Sequence, residues 1–188
     1  MLFSHDTERA LDCIVDLVNS APAAGGDGSD EALPDLPSLA DFVRRHRVSE
    51  VGDLTRHDLA EVHEFRGRVG DVFDAEDEDA SAAAVNSLVS RSIVTPRLTD
   101  HDGYGWHVHY FAPGSSLTEH LRIECGMALI HVVASGELSR LRRCAAPDCD
   151  HVLVDLSRNR SKRYCDARTC GNRLHVAAYR ERRRAAGA

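Results

Sequence analysis

The apolar positions of the chain fall first into helical and then into strand-like order. Leu11, Ile14, Val15 and Val18 recur at the spacing of one helix face, which predicts a helix over 7–20. Pro22 to Pro37, with AAGGDGSDE inside it, has the composition of a loop. A short helix is expected from Ser38 as N-cap, with Leu39, Phe42 and Val43 on one face. A longer helix starts at Thr55, which forms a capping-box-like pair with Asp58. Its stripe of Leu59, Val62, Arg66, Val69 and Phe73 is apolar except for the arginine. An acidic run from Asp74 to Asp79 separates it from a further helix over 81–90, carrying Val85, Leu88 and Val89.

The period then changes. Residues 92–99 read as a strand, put at a sheet edge by Pro96. HDGYG at 101–105 reads as a turn, and 105–111 alternates. Trp106, Val108 and Tyr110 share one face and His107, His109 and Phe111 the other, with Trp106 and Tyr110 expected in the core. A helix capped by Ser116, with Glu119 three residues on, runs to about Ala134, where Ser135-Gly136 stops it. Residues 1–140 therefore make an α+β body, mostly helical with a small antiparallel sheet, and 141–188 a separate C-terminal module. A chain of 188 residues is long enough for both and for a real core.

Charge sharpens that division. The net charge of −7 is the sum of unlike halves: residues 1–140 carry 11 Lys+Arg against 25 Asp+Glu, and 141–188 carry 12 against 5. The basic end is the part suited to a polyanion. A hydrophobic content of 43% excludes a wholly disordered chain. No apolar run approaches the roughly 20 residues that span a bilayer. The first residues, MLFSHDTERALDC, carry charge where a secretory signal needs an unbroken apolar stretch, so a soluble, cytoplasmic protein is expected.

Four of the six cysteines, Cys144, Cys149, Cys165 and Cys170, fall within 27 residues as C-x4-C, fifteen residues, C-x4-C. A reducing compartment disfavours disulfides, and paired cysteines on two tight loops suit tetrahedral zinc. With four thiolates there is no open coordination position, so the single Zn2+ would be structural and not catalytic. A module this small needs the metal to fold. Between the pairs lie a strand-like HVLVDL, a polar turn SRNRS and a returning KRYC; after Cys170 comes a helix with Leu174, Ala177 and Ala178 expected to pack inward. That order is the treble-clef arrangement. Cys13 and Cys125 stand apart in apolar surroundings, as small core residues.

The run Cys170-Gly171-Asn172-Arg173, with VLVDLSRNRSKRYC before it, resembles the CGNR zinc finger, Cys144, Cys149, Cys165 and Cys170 matching its four ligands. Tyr164 stands where that family usually has Trp. The body is similar to the ABATE domain: LDCIVDLVNS at 11–20 resembles its opening helix with a terminal Asn, and VNSL at 85–88 its internal Leu-Asn segment. The resemblance implies a stress-induced transcriptional regulator of bacteria that binds DNA through the finger, with no known ligand for the body.

The residues nominated for nucleic acid are Arg158, Arg160, Lys162 and Arg163 in the turn, Arg180 and Arg183 in the last helix, and Asn172 and Arg173 at that helix's start. The first six neutralise phosphates; the last two meet an anion at a helix N-terminus, or else tie the helix to the zinc site. Nothing in the sequence separates DNA from RNA, and a reader this small needs a homodimer or a protein partner for specificity. In the body, His107 and His109 on one strand face, with His101 and His120 nearby, and Arg66 in its apolar stripe are the candidate ligand-binding residues. An exposed histidine face and a snorkelling arginine are the plainer readings. No phosphate loop, nucleophile elbow or HExxH is present, and no enzyme is expected. The alternative function is a protein-interaction adaptor whose finger docks a protein.

Overall fold

The computed structural model describes residues 3–23, 31–90, 92–100 and 105–186. Among them are six α-helices and two small antiparallel sheets. Helix α1 (His5–Asn19) opens at Ser4, whose hydroxyl accepts from the Thr7 N–H, and buries Leu11, Cys13, Ile14 and Leu17. Helix α2 (Leu36–Arg45) begins earlier than its sequence pattern indicates. Asp35 is the N-cap, and Ser38 is the reciprocal partner three residues on. Ser is at home in both positions of a capping box, and the nearby prolines hid the earlier start. Helix α3 (Arg56–Phe73) has the Thr55–Asp58 box at its head. Helix α4 (Glu78–Val89) starts from Asp77, so part of the acidic run forms its first turn, where carboxylates meet the positive end of the dipole.

Strands β1 (Arg97–Thr99) and β2 (His107–His109) pair antiparallel with Leu98 opposite Val108. Residues 101–104 of the expected turn, His101 among them, lie outside the described residues. The hairpin faces the opposite way from the expectation. Trp106 is 74% exposed, whereas His109 and Phe111 are buried. Phe111 stacks on His120 with ring centroids 3.6 Å apart, and His109 packs against Phe111. A ring offered by the neighbouring helix makes the histidine side the apolar side.

That helix, α5 (Leu117–Ala134), is capped by Ser116 and is the central element, with buried residues around much of its circumference. At Gly126 it meets α4 so closely that a Cβ would lie 2.3 Å from Val89 Cγ1. Helices α1, α3, α4 and α5 enclose the body core, in which Phe42, Phe65, Leu11, Ile14 and Leu129 are fully buried.

Strands β3 (Leu141–Arg143) and β4 (Val152–Val154) form the second hairpin, Leu141 opposite Val154 and Arg143 opposite Val152. Successive side chains of a strand point to opposite faces. Val152 and Val154 enter the body core with Leu141, while Leu153 packs among the cysteines. The last residue of α1 completes the join. Asn19 donates from Nδ2 to the Val152 carbonyl at 2.9 Å and accepts from the Val152 N–H at 2.7 Å, as a neighbouring strand would. Helix α6 (Cys170–Ala186) follows the last loop.

Asn19→Ala strips the side-chain partner from both the N–H and the carbonyl of Val152. It is expected to lower stability by about 2 kcal/mol, measured as a shift of the urea midpoint at unchanged slope.

Candidate zinc centre, basic face and body cavity

Each cysteine of the cluster is placed by a different piece of backbone. Cys144 directly follows β3, its N–H donating to the His151 carbonyl at 2.8 Å. Cys149 sits in the turn before β4, Cys165 in the loop after it, and Cys170 is the first residue of α6. All four are buried, with their Sγ atoms within 4.8 Å of one another. Cys165 Sγ lies 3.7 Å from both Cys149 Sγ and Cys170 Sγ. Zinc–sulfur bonds of about 2.3 Å in a tetrahedron set the sulfurs about 3.8 Å apart, whereas a disulfide needs about 2.05 Å. The donor set therefore fits one structural zinc. Burial, with the neighbouring thiols, pushes the Cys165 thiol up to about 12, and a divalent cation at the centre would hold it as the thiolate.

The residues after Cys170 support the cluster from outside. Gly171 admits the Tyr164 ring, whose Cδ2 would stand 3.1 Å from a Cβ at that position. Arg173 donates to Cys170 Sγ at 3.4 Å and grips Asp148 with both terminal nitrogens. Burial alone would raise the Cys170 thiol, but the Arg173 guanidinium and the other sulfurs bring it below its ordinary value. A guanidinium here offsets the roughly −2 charge of four thiolates around a divalent ion.

The eight residues nominated for nucleic acid fall into two groups. Arg160 pairs with Glu137, Lys162 with Asp166, and Arg173 with Asp148. Arg158, Arg163, Arg180 and Arg183 are exposed and have no carboxylate partner among the described residues, as is Asn172 exposed on α6. Arg163 lies over the Tyr164 ring, 5.9 Å from its centroid. The turn that carries them is organised by a residue the sequence pattern does not single out, Asp155. Fully buried, it accepts from the N–H groups of Ser157 and Lys162, both at 2.9 Å, and pairs with Arg142 at 3.3 Å. Against the effect of its burial, those donors hold its carboxyl below the usual range. The acid that follows the apolar VLV of β4 is the one mark it leaves in the sequence, and its donors are not readable there. Ala177 and Ala178, expected to pack inward, are exposed; Leu174 alone of the three rests against the cysteines, because among the described residues nothing underlies α6 beyond its first turn.

His107 and His109 line a body cavity of about 100 Å³ between α1, the 46–49 segment, β2 and α5. Their Nε2 atoms are 3.1 Å apart. Sequence reasoning missed the other groups that close it: Glu124, and the Cys13 and Cys125 thiols. The four-residue spacing of His120 and Glu124 on one helix was the signal for them. Burial chiefly, with Asp6 nearby, raises the Glu124 carboxyl from 4.5 to about 7, although the Tyr110 N–H and His107 pull it down. Burial likewise holds His120 down at about 3. Arg66 does not line this cavity and does not snorkel. It is 7% exposed and clamps Glu31 with both terminal nitrogens while donating to Ser20 Oγ, which fastens the segment before α2. Among the described residues the cysteine cluster is the only group of three or more donors placed to hold a metal. No helix among them is long and apolar enough to cross a membrane.

A body of helices joined through one strand to a four-cysteine finger defines a zinc-finger protein with a separate helical core. Two family models match in that order: ABATE, described as a putative stress-induced transcription regulator, over residues 11–146, and the CGNR zinc finger over residues 140–183. The protein belongs to the ABATE family and carries a CGNR zinc finger after it. No curated protein matches its sequence.

Two outcomes follow from these sites. Cys165→Ser or a strong chelator is expected to take the metal content from one zinc per chain to well below one by elemental analysis. Amide protection in β3 and β4 should fall with it, while α3 and α5 keep theirs. Glu124 keeps in the folded state a proton that the unfolded chain gives up between 4.5 and about 7, so it makes stability fall as pH rises through that window. Glu124→Gln should therefore stabilise the protein by up to about 3 kcal/mol at pH 8 and by almost nothing at about pH 4, read from urea midpoints. His120 acts in the opposite sense below 6.5, equally in both proteins.

Proposed function

We infer that this protein is a regulator of transcription in which a zinc-built treble clef contacts DNA and the helical body receives a signal or partner. The observation that carries the reading is the group of exposed, acid-free arginines, Arg158, Arg163, Arg180 and Arg183, mounted on a module held by the cysteine cluster. Such cations bind a polyanion by releasing its condensed counterions. The cavity beside Glu124, His107 and His109 is the place for a small signal molecule, and the role is regulatory, not catalytic. The family description supports stress-induced regulation, and a bacterial cytoplasm is the setting proposed for it.

A protein partner for the body, or a second copy of the chain, is favoured by one observation. Ile93, Leu98 and Trp106 are large apolar side chains left exposed at and before the first hairpin. The adaptor reading makes that partner the whole function, with the finger docking protein.

A salt-titrated polarisation assay of the full zinc-loaded chain on duplex DNA separates the two. DNA contact predicts a steep salt dependence whose slope falls by about one for each of Arg158→Ala, Arg163→Ala and Arg180→Ala, and by less for the Glu137-paired Arg160→Ala. Absence of binding at low salt by the zinc-loaded chain would overturn the DNA reading and leave the adaptor.

A further inference from the structure

Helix α6 is unusual in how little holds it. After Cys170, Tyr164 against Gly171 and Leu174 on the cysteines, every residue from His175 to Ala185 is exposed. Packing, which supplies most helix stability in proteins, is missing along that length. Two of the exposed residues are large and apolar, Val176 at 37% and Tyr179 at 52%. Neither solubility nor the cysteine cluster accounts for them.

The angular order of its side chains is not that of a merely solvated end. At about 100° per residue, Val176, Tyr179 and Arg183 all lie within about 40° of Asn172, in one stripe along the helix. Arg182 flanks the stripe at about 80° on one side, with His175 between, and Arg180 flanks it at about 80° on the other. Glu181, the one acid of α6, falls diametrically opposite, among Leu174, Ala177, Ala178 and Ala185. The mixed polar and apolar stripe thus has a cation on each shoulder and its acid directly behind, with Arg184 at about 120°, beyond Arg180.

That cross-section matches the major groove of B-form DNA, which is about 12 Å wide, accepts a helix of about that diameter, and is walled by phosphates on both sides. Asn suits the N7 and N6 edge of adenine, Arg the O6 and N7 edge of guanine, and a Val methyl the methyl of thymine. We propose that α6 is a base-reading helix lying in the major groove, with Asn172, Val176, Tyr179 and Arg183 toward base edges and Arg180 and Arg182 toward the two phosphate walls. The proposal rests on the DNA-binding reading above and deepens it by assigning sequence preference to these side chains. The zinc cluster is then the mount that fixes the angle of the helix through Cys170, Gly171 and Arg173.

The test is selection of the full zinc-loaded chain on a pool of randomised DNA duplexes, followed by titration on the enriched site and on unrelated duplexes. An enriched sequence is expected. Asn172→Ala and Arg183→Ala should each reduce its preference over unrelated DNA about tenfold, at one base position, with zinc content and circular dichroism unchanged. Arg182→Ala should weaken all duplexes alike and lower the salt slope by about one. Salt-sensitive binding that enriches no sequence would overturn the base-reading helix and leave DNA contact standing. So would Asn172→Ala and Arg183→Ala variants that lose affinity equally for every duplex, or equal binding to an A-form RNA duplex, whose major groove is too deep and narrow for a helix. Failure to bind any duplex at low salt would remove the DNA reading itself.

Discussion

Three residues, Val152, Leu153 and Val154, join the two halves of this molecule. A strand turns alternate side chains to opposite faces, and here each face belongs to a different core. Val152 and Val154 complete the helical core of the body, and Leu153 seals the cysteine cluster. A strand buried on both faces must be apolar throughout, which is why VLV interrupts so polar a stretch. The strand has one sheet partner, β3, and its other edge is closed at Val152 by the Asn19 side chain. Zinc organises one side of this seam and hydrophobic burial the other, and the hairpin is where the two meet. The two family matches overlap at residues 140–146, a stretch that contains β3.

What was legible in the sequence was what depends on local spacing. The Thr55 and Ser116 caps and the paired cysteines are short-range signals with one good physical solution each, and they stand where the spacing put them. Errors appear where a distant partner decides. The faces of β2 alternate as expected, but which face is buried depends on His120, eleven residues beyond His109 and on another element. Arg66 looked like a residue bound for solvent because Glu31, its partner, lies in a segment with no periodicity of its own. Asn19 was visible as the end of a helix, yet its purpose is set by Val152, 133 positions away. Asp155 was hidden for the same reason, since an isolated acid has no pattern until the donors that surround it are known.

The body cavity and the finger share α1. Cys13 of that helix faces the cavity, and Asn19 at its end holds β4. With its first-turn cap and four buried side chains, α1 is a rigid connection about 22 Å long. A ligand with different affinity for two positions of α1 would act on the finger hairpin directly.

Part of the charge asymmetry is used where the two halves meet. The body's acids meet the module at its root, Asp74 on Arg143 and Glu137 on Arg160, where they fasten the hairpin and the turn. Among the described residues no carboxylate of the body pairs with Arg180, Arg182, Arg183 or Arg184. Arg180 to Arg184 lie about 15–21 Å along the helix from Cys170, beyond the Debye length of about 8 Å at physiological salt. The excess negative charge of the body is therefore largely screened from the helix tip, yet still repels a phosphate backbone that comes close to the root. Electrostatics and packing agree: if the proposed DNA contact holds, the exposed length of α6 is where a polyanion would meet least repulsion from the body.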